Sequence, residues 1–210
     1  MRLLQVDASN LADHARLTAD DVCIHLYEYT SGRDYRFSKT NQLIANLKKR
    51  PTSPEGELYW KRKAIQQCGA DLNATLNPEW LADATIVPVP GSKARADPNF
   101  DSRMEQVARL VRPGQDVRNL VIQTTSTVAA HEVGDGHRIT VEELLAVYQV
   151  DETLAAPPPT KIVILDDVLT AGTHFKAMQT LLSAHFPHAQ IIGLFVARRV
   201  FPNPFEAIEA

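Results

Sequence analysis

Two adjacent carboxylates end an apolar run in the segment KIVILDDVLTAGTHFKAMQTLL, residues 161–182. These carboxylates belong to Asp166 and Asp167, and a short glycine-bearing turn follows them. Neighbouring carboxylates repel each other, so their position favours a partner that offsets the repulsion. Ribose hydroxyls, a nearby basic side chain or a divalent cation such as Mg²⁺ would each serve. The pair is therefore a candidate site for a diol or a metal ion.

The turn after the carboxylates has the composition of an anion site. Backbone N–H groups at the start of a helix lack intrahelical acceptors, and the helix dipole favours negative charge there. Gly172 allows close approach to the backbone, while Thr170 and Thr173 add hydroxyl donors. A diol site beside a phosphate site would suit a 5-phosphorylated ribose. The structural alternative is that the two aspartates cap the next helix and Gly172 makes an ordinary turn.

The elements that must position these residues begin near residue 84, where apolar runs alternate with helical periodicity. Four runs are predicted as strands: ATIVPV (84–89), NLVIQT (119–124), KIVILD (161–166) and IIGLFVA (191–197). Three segments have the apolar spacing of helices: 104–111, 141–148 behind the capping box at 140–143, and 175–182. This alternation predicts an α/β fold with a mainly parallel sheet flanked by helices. Ligands bind beyond the carboxyl ends of such strands, where the two aspartates lie.

The first 83 residues have a different pattern, which predicts a small helical or hairpin subdomain beside a core over 84–210. Residues 21–37 are typical of a hairpin or of a strand leading into a turn. Helices are predicted over 41–50, with a basic C-terminal end at 48–50, over about 54–68, with Gly69 as the stop, and from Asn77. Trp60 and Trp80 are expected in the subdomain core, the alternative being that they stack on a base.

Composition narrows the class of protein. The chain has 210 residues, 44% of them hydrophobic, a net charge of −3 and a pI near 6.2. These values predict a folded protein without an obvious nucleic-acid or membrane partner, although a local basic patch stays open. No signal peptide or membrane span is expected, so the predicted location is the cytoplasm. Cys23 and Cys68 are too few for a four-cysteine zinc site.

The segment VILDDVLTAGT resembles the phosphoribosyl pyrophosphate (PRPP) motif of type I phosphoribosyltransferases. The resemblance implies that fold, with the first 83 residues forming a hood over the site. It also implies that Asp166 and Asp167 bind the ribose hydroxyls, contact Mg²⁺ directly or indirectly, and stabilise positive charge during catalysis. The residues implied to wrap the 5-phosphate or flank it are Val168, Leu169, Thr170, Ala171, Gly172 and Thr173.

A second segment, TIVPVPGSKARADPNFDSRMEQVARLV, is similar to the pyrophosphate loop of the same family, and most like its ComF branch. The implied pyrophosphate-binding residues are Pro90, Gly91, Ser92, Lys93, Arg95 and Arg103. Two features depart from that branch: its four-cysteine zinc module has no counterpart, and Ala171 stands where many active enzymes have threonine. His131, His137 and Arg138 fall where the family has a mobile loop, and are interpreted as solvated, the alternative being that they meet a phosphate or a metal ion. Arg198 and Arg199 are interpreted as surface charges.

The resemblance implies transfer of a 5-phosphoribosyl group from PRPP to a nitrogenous acceptor, with release of pyrophosphate and Mg²⁺ as cofactor. The expected ligand is PRPP or a nucleotide containing ribose 5-phosphate. One alternative is a non-catalytic protein of the same fold that acts as a regulator or in DNA uptake or another nucleic-acid process. Another is a phosphatase using the paired aspartates with Mg²⁺. The acceptor is not identified, and the oligomeric state, including a homodimer, stays open.

Overall fold

A computed structural model describes residues 2–127 and 139–203. Its central sheet has five strands in the order β1-β2-β7-β6-β3. The edge strand β1 is antiparallel to β2, and the other neighbours are parallel. The strands of this sheet are β1 (Leu4–Gln5), β2 (Cys23–Thr30), β3 (Ala84–Pro88), β6 (Lys161–Leu169) and β7 (Gln190–Val200). The predicted α/β class with a mainly parallel sheet is confirmed.

Six α-helices connect and cover these strands in the described part of the chain. They are α1 (Lys39–Leu47), α2 (Glu55–Thr75), α3 (Pro78–Leu81), α4 (Arg103–Val111), α5 (Val141–Leu145) and α6 (Thr173–His185). Short 3-10 turns lie at Leu11–Asp13 and Glu152–Leu154. Ser38 caps α1 by accepting from the N–H of Asn41, and the predicted capping box at Thr140 opens α5.

The sheet is buried on both faces, which explains why its central strand is a continuous apolar run. Val163 and Leu165 of β6 belong to a core shared with α1, α2 and α4. Ile162 and Ile164, the alternate residues of the same strand, pack with α5, α6 and the second sheet. All four side chains are fully buried. This packing fixes the register of β6 and delivers the two aspartates to its carboxyl end.

A second, two-stranded sheet corrects the prediction that 119–124 extends the central one. Its strands β4 (Val121–Gln123) and β5 (Tyr148–Val150) are antiparallel. The chain just before β4 is bonded to the central sheet, where the N–H of Ile86 donates to the carbonyl of Asp116 and the carbonyl of Ile86 accepts from the N–H of Arg118. The predicted helix over 141–148 is correspondingly too long, since α5 ends at Leu145 and Tyr148 opens β5.

The segment before residue 84 contains a strand of the central sheet. Residues 23–30 form β2, which pairs with β7 and leads into a turn, so the second of the two interpretations of 21–37 is confirmed and no hairpin forms there. The predicted stop of α2 at Gly69 is wrong, and the helix continues to Thr75. A Cβ atom at Gly69 would lie 2.3 Å from Cβ of Leu110, so this glycine lets α2 and α4 approach closely.

Candidate functional site

A cleft of about 230 Å³ lies beyond the carboxyl ends of β3 and β6. It brings together Asp166, Asp167, the loop at 90–93 and Arg103, which are far apart in sequence. Lys48, Thr170 and His174 also line it. β3 and β6 are adjacent in the sheet, so the residues that follow each strand meet at the same edge.

Asp167 is buried and paired on both carboxylate oxygens. Its Oδ2 accepts from Nη2 and Nε of Arg103 at 2.8 and 3.2 Å, and its Oδ1 lies 3.1 Å from Nζ of Lys48. Burial alone would raise the pKa of Asp167, but Lys48 and Arg103 outweigh that effect and hold the pKa below its usual value. Asp167 is therefore ionised at neutral pH.

The sequence predicts Lys48 as a cation of the C-terminal end of a helix over 41–50. The helix α1 ends at Leu47, three residues before the predicted end, and the side chain of Lys48, the next residue, reaches into the cleft to pair with Asp167. Sequence reasoning missed this role because the two residues are joined only by the fold. The basic residues before Pro51 were the available signal for this role, but they were interpreted only as cations that suit the C-terminal end of a helix.

A chain of buried charges extends from Asp167 to α2. Arg103 also donates from Nη1 to Oδ2 of Asp101, at 2.8 Å. The same carboxylate accepts from Nζ of Lys61, at 2.7 Å, and Lys61 donates to the carbonyls of Leu47 and Lys49. This network joins the end of α1, the middle of α2 and the start of α4, and so fixes the Arg103 guanidinium against Asp167.

Asp166 differs from its neighbour in that its charge is not neutralised. One of its oxygens accepts from the N–H of Asp167, at 2.7 Å, and the other has no partner among the described residues. Burial and, secondarily, the charge of Asp167 raise the pKa of Asp166. The half-buried carboxylate lines the cleft with an oxygen available to a ligand.

The turn at 170–173 leaves backbone donors without acceptors. Gly172 adopts a φ of 89°, the left-handed conformation that glycine accommodates best, and forms the N-cap of α6. The first bond at this end runs from the N–H of Lys176 to the carbonyl of Gly172. Among the described residues, no acceptor takes the N–H groups of 171–175. Such a set of donors at the start of a 13-residue helix suits an anion.

The N-terminal segment 14–17 supports this turn from behind, which no sequence pattern predicted. His14 is fully buried, with Nδ1 2.5 Å from the carbonyl of Thr170, and burial lowers its pKa. The N–H of Arg16 donates to Ala171, and a Cβ atom at Gly172 would lie 2.8 Å from Cδ2 of Leu17. The turn is therefore packed on one side, and a side chain at 172 would displace it.

The loop at 90–93 is held by the second sheet. Nε2 of the buried Gln123 donates to the carbonyl of Ser92, at 2.7 Å, and to the hydroxyl of Thr127. Nζ of Lys93 in turn donates to the carbonyl of Thr127, at 3.1 Å. Sequence reasoning did not single out Gln123, because an amide inside an apolar strand reads as an ordinary β residue. It anchors one wall of the cleft.

Arg95, the remaining predicted pyrophosphate ligand, is not brought to the cleft. It points toward α4, where Nη2 lies 3.3 Å from Glu105, and it stacks over the ring of Phe100. Its side chain is 63% exposed, so this pairing contributes little to stability. The other predicted pyrophosphate residues, 90–93 and Arg103, all line the cleft.

His174 is a site residue that sequence reasoning missed. It follows the turn directly, lines the cleft, and has Nδ1 2.8 Å from the hydroxyl of Tyr148 on β5. Burial lowers the pKa of His174 to about 4, so its imidazole is neutral at physiological pH. The signal available was its place immediately after the glycine turn, at the second position of α6.

The remaining predicted residues fall outside the cleft. Arg198 pairs with Glu28 and Asp13, and so is a structural contact. Trp80 stacks against Lys161 at the start of β6, the opposite end of the strand from the aspartates. The expectation that Trp60 lies in a core is wrong, since its side chain sits on the outer face of α2 and is 55% exposed.

Arg199 lies at the end of β7 and donates from Nη2 to the carbonyl of Asp13, at 2.7 Å. It thus holds the 3-10 turn that precedes the supporting segment 14–17. The loop residues His131, His137 and Arg138 lie outside the described ranges.

The described residues contain no group of three or more histidine, cysteine, aspartate or glutamate side chains arranged to hold a metal ion. None of the described helices is long and apolar enough to cross a membrane. No protein-family model matches the chain, and no curated protein matches its sequence.

Proposed function

We propose that this chain has the type I phosphoribosyltransferase fold and binds PRPP in the cleft, transferring its 5-phosphoribosyl group to a nitrogenous acceptor. One observation carries the proposal. The cleft combines a carboxylate pair with the 90–93 loop, Lys93 and Arg103, and its lining reaches the turn at Thr170 and His174, where the N–H groups of 171–175 lack acceptors among the described residues. Separately each feature is common, but PRPP has a diol between two phosphate-bearing ends, and it would use all three.

Each part of the ligand has a matching set of groups. The 5-phosphate would accept from the backbone donors of 171–175, with the Thr170 hydroxyl alongside. The ribose hydroxyls would donate to the free oxygen of Asp166. The pyrophosphate would lie along the loop at 90–93, where Lys93 supplies positive charge. The ligand's phosphates are negatively charged, as Asp166 is. A cation bound together with the ligand would therefore be needed to offset the repulsion between them.

Mg²⁺ fits this site as a ligand-borne ion. Among the described residues, only one carboxylate oxygen of the pair is without a partner, whereas Mg²⁺ takes six oxygen ligands, so most would come from pyrophosphate and water. Asp166 is the residue that would hold it, directly or through water. When bound, the ion supplies positive charge that stabilises pyrophosphate as a leaving group.

The chain's own residues would act by charge and position. Displacement at the anomeric carbon passes through a state with oxocarbenium character, in which the ring gains positive charge. The ionised Asp167 and the adjacent Asp166 would stabilise that charge, while the turn fixes the 5-phosphate and thereby the ribose. The buried network of Arg103, Asp101 and Lys61 keeps Asp167 in place during the reaction.

A binding protein without turnover is the second candidate, and one observation favours it. Both oxygens of Asp167 are taken by Lys48 and Arg103, so this carboxylate reaches the ribose only if one pairing opens. A regulator that senses PRPP, including one that works in DNA uptake or another nucleic-acid process, needs the anion sites alone. Release of pyrophosphate across a panel of bases distinguishes the two functions.

The proposal is tested by calorimetric titration of the protein with PRPP in the presence of Mg²⁺. Gly172→Val should abolish binding, because a side chain there meets Leu17 and valine disfavours the left-handed conformation that the turn requires. Gly114→Val is the matched control. Gly114 also has a positive φ, 74°, but a Cβ atom there would have no other atom within 4 Å. The next residue, Gln115, contacts Ala84 at the start of β3, the opposite end of that strand from the cleft. Absence of PRPP binding in the unaltered protein, or equal loss in both variants, would contradict the proposal.

A further inference from the structure

A tyrosine and a histidine from different layers of the fold meet at the edge of the cleft. Tyr148, at the start of β5, is 5% exposed, and its hydroxyl lies 2.8 Å from Nδ1 of His174 in the first turn of α6. The other ring nitrogen of His174, Nε2, has no partner among the described residues, although the side chain lines the cleft. Packing of α6 alone does not explain the pair, because the His174 side chain also lines the cleft.

The direction of the hydrogen bond follows from burial. A buried hydroxyl proton without an acceptor is costly, and Nδ1 of His174 is the acceptor that the described residues offer to Tyr148. Tyr148 therefore donates, and Nδ1 carries no proton. A neutral imidazole then has its proton on Nε2. The ring presents an N–H donor to the cleft.

Burial is the main effect that lowers the pKa of His174 and disfavours its protonation. Asp167 on β6 favours protonation, while Lys48 after α1 and Arg103 on α4 oppose it. Asp166 acts on the Tyr148 hydroxyl, where it favours the protonated phenol. Tyr148 thus keeps its proton and His174 stays neutral.

We propose that His174 is a ligand-binding residue of the cleft, donating from Nε2 to a phosphate oxygen of the bound sugar phosphate, and that Tyr148 is the positioning residue that fixes its tautomer. The identity of the ligand rests on the proposed function, whereas the tautomer does not. Because His174 is at the second position of α6, its donor adds to the unpartnered N–H groups of 171–175.

The tautomer is tested first, without any ligand. Proton–nitrogen correlation spectra of the uniformly ¹⁵N-labelled protein, with His174 assigned by the signal lost in His174→Gln, should show the Nε2–H form throughout the neutral range. In Tyr148→Phe the donor to Nδ1 is lost, so the His174 signal should shift and the Nδ1–H form should appear. An Nδ1–H form in the unaltered protein, or the same His174 signal in Tyr148→Phe, overturns the role given to Tyr148.

Binding is tested with ribose 5-phosphate and with inorganic phosphate. His174→Leu should weaken ribose 5-phosphate about tenfold or more, since a hydrogen bond to a charged group is lost. His174→Gln keeps an N–H donor of similar reach and should recover part of the affinity. His185→Leu, on the same helix and outside the cleft lining, is the control and should bind normally.

The outcomes separate the two proposals. Equal affinity of His174→Leu and the unaltered protein overturns the role of His174 and leaves the proposed function intact. Failure of the unaltered protein to bind either phosphate overturns both, and the spectra still decide the tautomer. Tyr148→Phe adds a readout that a purely structural role would not move: the Nδ1–H form of His174 should appear in its spectrum while its affinity for ribose 5-phosphate falls.

Discussion

The two adjacent aspartates should affect stability with opposite signs. Asp166→Asn should raise the melting temperature near neutral pH, because it removes a charge that burial and Asp167 destabilise. Asp167→Asn should lower it, because the ionised carboxylate offsets the charges of Lys48 and Arg103. Both variants should weaken PRPP binding. Asp166→Asn should therefore gain stability while it loses affinity, whereas Asp167→Asn should lose both.

The magnitudes follow from the exposure of each partner. The Arg103–Asp167 pair is mostly buried, with side chains 22% and 6% exposed, whereas Lys48 is 41% exposed and contributes less. Arg103 keeps Asp101, so the loss should lie at the low end for a broken buried pair, about 3 kcal/mol. For a chain of this length that corresponds to a fall of about 6–12 °C. Relief of charge at Asp166 should stabilise by about 0.5–2 kcal/mol, a range typical of a single stabilising substitution.

The pH dependence tests the cause. The raised pKa of Asp166 means that its favourable, protonated form is present at low pH and is lost as pH rises through the folded-state value. The advantage of Asp166→Asn should therefore grow from about pH 4, where an ordinary aspartate loses its proton, to about pH 7, the pKa of Asp166 in the folded protein, and level off above that. Asp167 has a lowered pKa, so its contribution is present above the unfolded value and is lost only as pH falls toward the folded value.

Thermal unfolding followed by circular dichroism at a series of pH values is the assay, with Asp34→Asn as control. Asp34 is an exposed carboxylate paired with Arg36, and its replacement should leave the melting temperature nearly unchanged. A fall in melting temperature for Asp166→Asn at neutral pH, or a gain that does not depend on pH, would refute the reasoning. So would a stabilising Asp167→Asn.

Two further predictions concern the helices that carry the site. Lys61→Met should lower the free energy of unfolding by about 3–5 kcal/mol, since a carboxylate and two carbonyls lose their buried donor. The control Lys63→Met, at an exposed position, should change it by about 0.5 kcal/mol or less. Chemical denaturation measures both variants, and equal effects would mean that the buried ammonium is not needed. Gly69→Ala should destabilise the protein by about 1–3 kcal/mol, because the new Cβ meets Leu110. Gly56→Ala in the same helix has open space around the new Cβ and should stabilise the protein by about 0.5–1 kcal/mol. The same denaturation measurements check that the two effects have opposite signs.

The parts of the fold that sequence predicted are those decided locally. The apolar run of β6 and the glycine turn after it are contiguous, so a strand, a turn and a helix could be predicted from one segment of the sequence. The capping box at Thr140 likewise uses a backbone N–H three residues away. Such signals also indicated the carboxylate pair and the 90–93 loop, and the structure places both in one cleft.

The errors occurred where a distant contact overrides a local rule. Gly69 has the sequence signature of a helix stop, but its missing side chain serves the approach of Leu110 from another helix. Tyr148 fits the spacing of a helix over 141–148, yet it pairs in a strand with Gln123, so α5 is only five residues long. Neither partner is visible from a window of one segment, and so neither correction could be predicted.

The same limit explains which site residues were missed. Lys48, Gln123 and His174 act through partners that the fold brings from elsewhere: Asp167, Ser92 and Tyr148.

These three residues have a common consequence for the cleft, because each ties one of its walls to a different layer of the protein. The end of α1 is held to the carboxylate pair, the second sheet to the 90–93 loop, and β5 to the anion turn. A ligand that bridges the walls would therefore contact groups held in place by all three parts of the protein. The motif residues indicate which groups a phosphorylated ribose would contact. The cross-layer contacts hold those groups at fixed positions relative to one another when a charge or a proton in the cleft changes. On this reasoning, variants of Lys48 or Gln123 should change ligand affinity more than their modest contact with the ligand would suggest.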